Sequence, residues 1–278
     1  MDKFCIIVNK DRDEQLELTG RVKRFLEAKG KYCELRMESL DTAGEVWEPI
    51  QEDTDCIVVL GGDGTMIRAA NRLLVYDIPF FGINAGTVGY LTGVEAAEAE
   101  KGLERLCSGT FRVEKRMMLA AQINGQYEDT VLNEVAITRS GVSRMLNLAV
   151  YVNGALLNVV SGDGLLIATP TGSTGYNLSA GGAVVKPGAE LILITPICPH
   201  SLSSREIIVS AEDEISIEIC QNKRGPEVQA VVSFDGRTAK QLEPEDKIIV
   251  RRSKYTTKMV QLDERTFFEV LRSKLVQQ

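Results

Sequence analysis

The pattern of apolar residues changes near Phe111, and this change constrains the fold more than any other feature of the sequence. Before it, short apolar runs alternate with amphipathic segments, which is typical of a parallel sheet covered by helices. After it, short alternating segments are separated by Asn124-Gly125, Asn153-Gly154 and Asp235-Gly236, dipeptides that favour type I′ hairpin turns. The sequence therefore predicts a parallel α/β domain followed by a β-rich, sandwich-like domain.

We place the α/β domain over residues 1–111 and the β-rich domain over residues 112–264. Apolar residues at helical spacing after Arg265 predict a closing helix over 265–278, which packs back on one of the two domains. The first domain is predicted to contain strands over 4–9, 32–37, 56–60 and 79–83 and helices over 13–29, 66–76 and 95–107. The strands of the second domain are predicted around Leu119, Ile137, Leu148, Leu157, Leu166, Ile192, Ile208, Ile217, Val231 and Ile249.

Composition excludes several classes of partner. The 278 residues carry a net charge of −7, with basic and acidic residues interspersed, so no basic face is expected to bind nucleic acid. No apolar run approaches the roughly 18 residues that span a bilayer, and no export signal is visible, so we expect no membrane partner. Six cysteines without a C-x-x-C pair suit reduced thiols rather than zinc ligands, and we expect a cytoplasmic protein.

A glycine-rich turn follows the predicted strand 56–60 and precedes a predicted helix. Its sequence is Gly61-Gly62-Asp63-Gly64-Thr65. Glycine permits a positive φ and lets a ligand approach the backbone closely, and N–H groups at a helix N-terminus bind phosphate. A simple helix cap is the alternative role for Asp63, but three glycines provide more steric freedom than a cap needs. A carboxylate at a phosphate site binds a divalent metal or accepts a proton from an attacking hydroxyl.

A second polar region combines Asn133-Glu134 with residues 161–182. The pair interrupts two strand-like segments, and the longer segment holds several hydroxyls, the carboxylate of Asp163 and the ring of Tyr176. Such a set suits a ribose and an adenine. A Ser/Thr-rich surface loop is the alternative, although Gly181-Gly182 followed by an apolar stretch is unusual in a solvated loop.

These motifs resemble those of a known family. The turn at 61–65 resembles one shared by NAD kinases, diacylglycerol and sphingosine kinases and 6-phosphofructokinases, all of which transfer a phosphoryl group to a hydroxyl. Residues 161–182 resemble the D-G-x-x-x-x-T-P-T-G-S-T-A-Y-x-x-S-A-G-G signature of NAD kinases, and Asn133-Glu134 and residues 82–92 resemble further segments of that family. The likeness covers the chain from about residue 56 to residue 251, whereas the lipid kinases and phosphofructokinases share only the first motif.

The resemblance implies phosphorylation of the adenosine-ribose 2′-hydroxyl of NAD to NADP, with ATP or polyphosphate as the donor. It implies that Asp63 is the catalytic base, and that Asn133 and Glu134 hold the nicotinamide-side ribose or carboxamide. The other NAD-binding residues that it implies, besides Asp63 itself, are Gly64, Arg144, Ser161, Asp163, Thr174, Gly175, Tyr176, Asn177, Leu178, Ser179, Arg237 and His200. The expected phosphate-binding residues are Gly61, Gly62, Gly64, Thr65 and, more weakly, Arg68.

The sequence offers no obvious metal cage, so Mg²⁺ or Mn²⁺ is expected to bind mainly through substrate phosphates and water, without dedicated protein ligands. The alternative role for Asp63 is metal ligand. His200 is the only histidine; the resemblance makes it a pocket or subunit-contact residue, and a structural hydrogen bond is the alternative. The resemblance also implies a homodimer or homotetramer. The competing functions are a non-catalytic NAD or NADP sensor and a lipid or sugar kinase.

This chain departs from the family pattern at four positions. Gly175 stands where the family usually has Ala, Val88 and Tyr90 stand where it has Phe or Leu, and Glu206 stands where it has Pro. Only Gly175 falls in the expected NAD pocket, which the missing methyl group loosens. None of the four changes removes a group that the chemistry requires.

Overall fold

The computed structural model describes residues 1–38, 49–86, 89–141, 145–201, 204–220, 229–262 and 266–276. The chain forms two compact units. The first unit comprises Met1–Lys115 and Thr257–Gln278, and the second comprises Arg116–Thr256. The predicted closing segment therefore groups with the first unit, a choice that the sequence left open.

The helices and strands follow in chain order. Up to residue 111 the elements are β1 (Lys3–Asn9), α1 (Glu17–Ala28), β2 (Tyr32–Glu38), β3 (Cys56–Gly61), α2 (Asp63–Arg72), β4 (Phe80–Asn84), β5 (Val94–Glu95) and α3 (Ala99–Ser108). Then come β6 (Arg112–Ile123), β7 (Gln126–Val131), β8 (Glu134–Arg139), β9 (Leu146–Val152), β10 (Ala155–Gly162), β11 (Gly164–Ala168) and the single-turn α4 (Tyr176–Ser179). The remaining elements are β12 (Leu191–Ile197), β13 (Ile207–Ser210), β14 (Ile215–Ile219), β15 (Ala230–Phe234), β16 (Arg237–Leu242), β17 (Lys247–Gln261) and α5 (Phe267–Val276).

The first unit is built on a parallel sheet, as predicted. Its strands run in the order β2-β1-β3-β4, all parallel, with β5 beside β4. Every residue of β3 and β4 is buried, which is typical of strands covered on both faces. Val22 and Leu26 of α1 and Leu103 of α3 pack in the same core as these strands, and each such side chain contributes roughly 1.5–3 kcal/mol when it leaves water.

The ends of the first three helices differ from the prediction by a few residues. Helix α1 begins at Glu17 rather than at Asp13, because the Asp13 carboxylate accepts hydrogen bonds from the N–H and hydroxyl groups of Thr19. The predicted stop at Gly30 is confirmed, since Gly30 has a φ of +72°, a conformation that ends helices. Helix α2 begins at Asp63, three residues before the predicted start, and ends at Arg72, four residues before the predicted end. Helix α3 begins at Ala99, four residues after its predicted start.

The second unit contains two antiparallel sheets. One has the order β13-β12-β11-β8-β15-β16, and the other runs β10-β9-β14-β17 with β6 and β7 continuing from β17. One core is shared by side chains from both sheets, among them Leu119, Leu148, Ile167 and Val232. The sandwich-like prediction is thus confirmed, and every strand predicted here is present.

The three predicted hairpin turns are also confirmed. Both residues of each dipeptide have positive φ: 51° and 79° at Asn124-Gly125, 50° and 79° at Asn153-Gly154, and 50° and 69° at Asp235-Gly236. Positive φ at both central residues is the pattern of type I′ turns, whose twist matches that of the flanking strands. The third turn places Asp235 between β15 and β16, and Arg237 is the first residue of β16.

The predicted closing helix is present as α5. In the first unit, Phe267 of α5 packs on Tyr90 with ring centroids 6.4 Å apart.

All six cysteines are free, and burial raises the pKa of Cys5 to about 12. In the parts of the chain that the structure describes, none of the helices is both long enough and apolar enough to span a bilayer.

Candidate functional site

The glycine-rich turn joins β3 to α2 at the carboxyl edge of the parallel sheet, where α/β folds commonly bind ligands. None of its three glycines has a positive φ, so the explanation of these glycines by a positive φ is wrong. Gly61 is needed for a different reason: a Cβ there would come within 2.8 Å of the Thr65 side chain. Nothing lies within 4 Å of a Cβ placed on Gly62, which leaves this backbone open to a ligand.

Asp63 does not cap α2. Its carboxylate accepts hydrogen bonds from the backbone N–H groups of Tyr90 (2.7 Å) and Leu91 (3.0 Å). Gly89 lies so close that a Cβ on it would overlap the Asp63 carboxylate. Two loops that are distant in sequence therefore meet at this side chain, which they hold in one orientation. A carboxylate has about four lone-pair directions, so each oxygen of Asp63 can still accept a further bond.

Two polar residues at the ends of β1 and β2 support the same turn. Asn9 donates a hydrogen bond from Nδ2 to the Thr65 hydroxyl at 2.8 Å. Glu38 is fully buried and binds Arg68, with Nε–Oε1 at 2.9 Å and Nη2–Oε2 at 3.3 Å. The guanidinium of Arg68, expected to contact phosphate, is therefore already paired. Sequence reasoning missed Asn9 and Glu38, although polar residues that end parallel strands are a usable signal.

In the second unit, the turn between β7 and β8 is held by Asp235. The Asp235 carboxylate accepts from the N–H groups of Leu132 (2.7 Å), Asn133 (2.8 Å) and Glu134 (2.9 Å). Bonds to an ionised acceptor are about twice as strong as neutral ones. From the other side, Thr169 donates its hydroxyl to the Leu132 carbonyl at 2.6 Å. The turn is therefore fixed on two sides.

Three buried polar atoms around this turn have no hydrogen-bond partner within the described chain: Asn133 Oδ1, Glu134 Oε2 and Thr171 Oγ1. An unsatisfied buried polar atom costs about 1–3 kcal/mol. Natural proteins retain such atoms where a ligand, water or ion completes them. This cluster therefore has the features of a ligand-binding site.

The environment of Glu134 disfavours the ionised form of its side chain. The residue is 8% exposed, and burial, with the nearby Asp235 carboxylate adding to it, raises the pKa of Glu134 to about 8. The raised pKa favours the protonated side chain at neutral pH, and a protonated carboxyl can donate a hydrogen bond. A perturbed carboxyl next to unpaired polar atoms is a feature of binding and catalytic sites.

A cavity of about 600 Å³ lies in the second unit beside α4, a volume that suits a small-molecule ligand. Three of the predicted residues line it, namely Asp163, Tyr176 and Ser179. Arg139 and Cys198 line it as well, and the sequence did not single them out. Arg139 binds the Asp163 carboxylate at 2.7 Å, which fixes one wall.

Other predicted residues are engaged within the protein. Asn177 is fully buried and donates to the Ala183 carbonyl at 3.1 Å, so its side chain shapes the loop. Arg237 is paired with Asp129 at 3.0 Å. The structure gives further bonds of Ser161 to Asn147, of Thr174 to Thr171 and of the His200 N–H to Ser161. Gly64 and His200 are exposed, Leu178 is half-buried, and Arg144 lies outside the described residues.

Both units are similar in sequence to domains of known proteins. Residues 4–111 match the family model of the ATP-NAD kinase N-terminal domain, and residues 132–262 match that of the ATP-NAD kinase C-terminal domain. The chain is 43% identical to the NAD kinase of Lachnoclostridium phytofermentans and 40% identical to that of Agathobacter rectalis, in each case over 99% of both chains.

Two solved structures resemble the whole chain. An NAD kinase from Archaeoglobus fulgidus in complex with ATP gives a TM-score of 0.74 at 27% identity, covering 98% of each chain. Yeast NADH kinase complexed with NADH gives a TM-score of 0.83 at 24% identity, covering 99% of this chain and 87% of that one, and this likeness is one of fold.

Proposed function

The chain belongs to the NAD kinase family, and from that premise we propose that it transfers the terminal phosphoryl group of ATP to the adenosine-ribose 2′-hydroxyl of NAD. The products are NADP and ADP. Both family models match, and the curated relatives align along their full length. The observation that carries the proposal is the Asp63 carboxylate, held at the N-terminus of α2 by two N–H donors from another loop.

Asp63 is proposed to be the general base. The 2′-oxygen forms a bond to the γ-phosphorus, the bond from that phosphorus to the bridging oxygen breaks, and ADP leaves with the bonding electrons. The proton of the hydroxyl passes to a carboxylate oxygen of Asp63. Because phosphoryl transfer depends mainly on positioning and charge stabilisation, the fixed orientation of Asp63 supports this role.

The second unit is proposed to recognise the dinucleotide. Asn133, Glu134 and Thr171 supply the unpaired polar atoms, which a ribose or a carboxamide can satisfy. Asp163, Tyr176 and Ser179 line the adjoining cavity, where a flat aromatic group fits against the ring of Tyr176. The remaining NAD contacts implied by the family likeness stay predictions.

A divalent ion, Mg²⁺ or Mn²⁺, is proposed to arrive with the phosphates of the donor. Among the described residues, no three His, Cys, Asp or Glu side chains group closely enough to hold a metal ion. A full protein cage does not fit, whereas Mg²⁺ commonly binds through substrate phosphates, water and one or two carboxylates. Asp63 is the carboxylate that can provide one ligand. The ion, when bound, neutralises phosphate charge.

A cytoplasmic location and a homodimer or homotetramer also remain part of the proposal. The six free cysteines suit a reducing compartment. Polyphosphate as an alternative donor stays a prediction, since the ATP complex belongs to the Archaeoglobus fulgidus protein.

The decisive test is Asp63→Asn assayed with ATP, Mg²⁺ and NAD, with NADP formation followed by an NADP-specific dehydrogenase. We expect kcat to fall between about 10² and 10⁴-fold, while NAD binding by calorimetry persists. Asp55→Asn is the matched control, because the Asp55 carboxylate also accepts two backbone N–H bonds, from Asp2 and Lys3, but stands just before β3 at the opposite edge of the sheet. Full activity in Asp63→Asn would exclude a base, and an inactive wild-type protein that still binds NAD would be a sensor.

A further inference from the structure

A triphosphate donor brings three or more negative charges to the carboxyl edge of the first sheet, and catalysis of phosphoryl transfer requires that charge to be neutralised. The sequence suggested Arg68 for this contact. In the structure its guanidinium is bound to the buried Glu38 through two hydrogen bonds. A paired arginine offers less net charge to a phosphate than a free one, so an unpaired cation at this edge is better suited to the contact.

Arg12 lies in the turn that follows β1. Its N–H donates to the Asn9 carbonyl at 3.1 Å, and Asn9 in turn binds the Thr65 hydroxyl of the glycine-rich turn at 2.8 Å. Strand β1 is also the direct parallel neighbour of β3, with Val8 paired to Leu60. The turn that carries Arg12 therefore leaves the same sheet edge as the glycine-rich turn.

The Arg12 side chain extends toward the loop after β4. A Cβ placed on Gly86 would lie 3.5 Å from Arg12 Nη1, the single atom near that position. Asn84 holds this loop, accepting from the Gly86 N–H at 3.1 Å and donating to its carbonyl at 3.0 Å. The neighbouring Ala85 N–H donates to the Gly61 carbonyl at 3.3 Å. The Arg12 guanidinium is thus beside a loop bonded directly to the glycine-rich turn.

The Arg12 guanidinium is available for a ligand. Arg12 is exposed, and within the described parts of the chain its guanidinium has no hydrogen bond or ion pair. Arg68, Arg139 and Arg237 differ in this respect, since each is bound to a carboxylate. Free guanidinium groups bind phosphate oxygens in a bidentate manner, and the N-terminal end of the α2 dipole attracts the same anion.

We propose that Arg12 binds the terminal phosphates of the ATP donor. The proposal rests on the proposed NAD kinase function, because it assigns a contact to that reaction's donor. Gly62 leaves the backbone open on one side, Arg12 supplies the positive charge on the other, and Arg68 remains a partner of Glu38.

The test compares Arg12→Gln with Arg24→Gln. Arg24 is a second exposed arginine of the first unit, on α1, and has no ion pair within the described chain. For Arg12→Gln we expect the KM for ATP to rise roughly 10- to 100-fold, the loss expected for charge-assisted bonds to phosphate. The KM for NAD should change by less than about two-fold. Arg12→Lys, which keeps the charge but not the fork geometry, should be intermediate.

Calorimetric titration with ATP and with inorganic triphosphate identifies the part of the donor that is contacted. Arg12→Gln should weaken both ligands by a similar factor, since the contact is to phosphate rather than to adenosine. An unchanged KM for ATP in Arg12→Gln, with wild-type turnover, would overturn the Arg12 assignment and leave the proposed function intact. A wild-type protein that forms no NADP would instead overturn the proposed function itself.

Discussion

The glycine-rich turn of the first unit and the Asn133-Glu134 turn of the second are both organised around a carboxylate that accepts backbone N–H bonds, but they use it differently. In the first unit the bonded carboxylate, that of Asp63, is the proposed general base. In the second unit the bonded carboxylate, that of Asp235, holds the backbone. The side chains of Asn133 and Glu134 there retain unpaired buried atoms.

This difference separates two tasks. A group that takes part in bond making has to be in place before the substrate arrives, so its orientation is fixed by the protein alone. A group that recognises a ligand can keep an unpaired buried atom, because the ligand then supplies the missing hydrogen bond. The free-energy cost of the unpaired atom applies only while the ligand is absent. Disturbing the first turn should therefore lower turnover, and disturbing the second should alter affinity and pH response.

Among the variants that test this comparison of the two turns, Gly89→Ala is expected to have the largest effect. The added Cβ would overlap the Asp63 carboxylate, which has to move away from its two N–H donors. A misplacement of about 1 Å at a reacting group costs roughly 10²-fold in rate, so kcat should fall by about that factor while the KM for NAD stays near the wild-type value. Steady-state kinetics, with thermal melting to confirm folding, measure this. Wild-type kcat in this variant would show that the loop at Gly89 is not needed to orient Asp63.

A second prediction concerns the pH dependence of stability. Because burial and Asp235 raise the pKa of Glu134 from 4.5 to about 8, the folded protein keeps a proton that the unfolded chain has lost. The contribution of Glu134 to the free energy of unfolding is therefore fully present below about pH 4.5 and is lost as the pH rises toward 8. The free energy of unfolding falls by at most about 1.4 kcal/mol per pH unit in this range. Glu134→Gln cannot ionise and should lack this component.

Urea unfolding at a series of pH values between 5 and 9 tests this pH dependence. Wild type and Glu134→Gln are compared at each pH, so that the contributions of the other titrating groups cancel in the difference. Asp235→Asn removes the second cause of the raised pKa, so the decline should end at a lower pH than in the wild type. Parallel stability curves for wild type and Glu134→Gln would contradict the prediction.

Features that depend on nearby residues were predictable from sequence. The type I′ turns follow from Asn-Gly and Asp-Gly dipeptides, and the parallel sheet follows from buried apolar runs that alternate with amphipathic helices. The glycine-rich turn was located correctly, but the reason given for its glycines was only half right. Gly61 avoids a close contact with Thr65, which depends on how the first turn of α2 folds back.

Features that depend on distant residues were not predictable. Asp63 is bonded to residues 27 and 28 positions away, and Asp235 to residues more than 100 positions away. Such pairs are fixed by strand register and loop length, which local patterns do not encode. Asp235 was correctly assigned to a hairpin turn, but this assignment did not indicate that its carboxylate also binds the backbone of a distant turn. The pairing of Glu38 with Arg68 was missed because the two residues are 30 positions apart and meet only in the folded chain.

The smallest effect is expected from Gly175→Ala, the counterpart of Gly89→Ala in the second unit. The new Cβ would lie 3.4 Å from the Gly172 carbonyl, 3.5 Å from Asn133 Nδ2 and 3.7 Å from Glu134 Oε2, so no atom has to move. Individual contacts of this kind contribute about 0.1–0.2 kcal/mol, and the KM for NAD should change less than about three-fold with kcat preserved. A change of tenfold or more would mean that the acceptor occupies the space above Gly175. The absent methyl group would then be a determinant of substrate fit, and the second turn would resemble the first in tolerating no added atom.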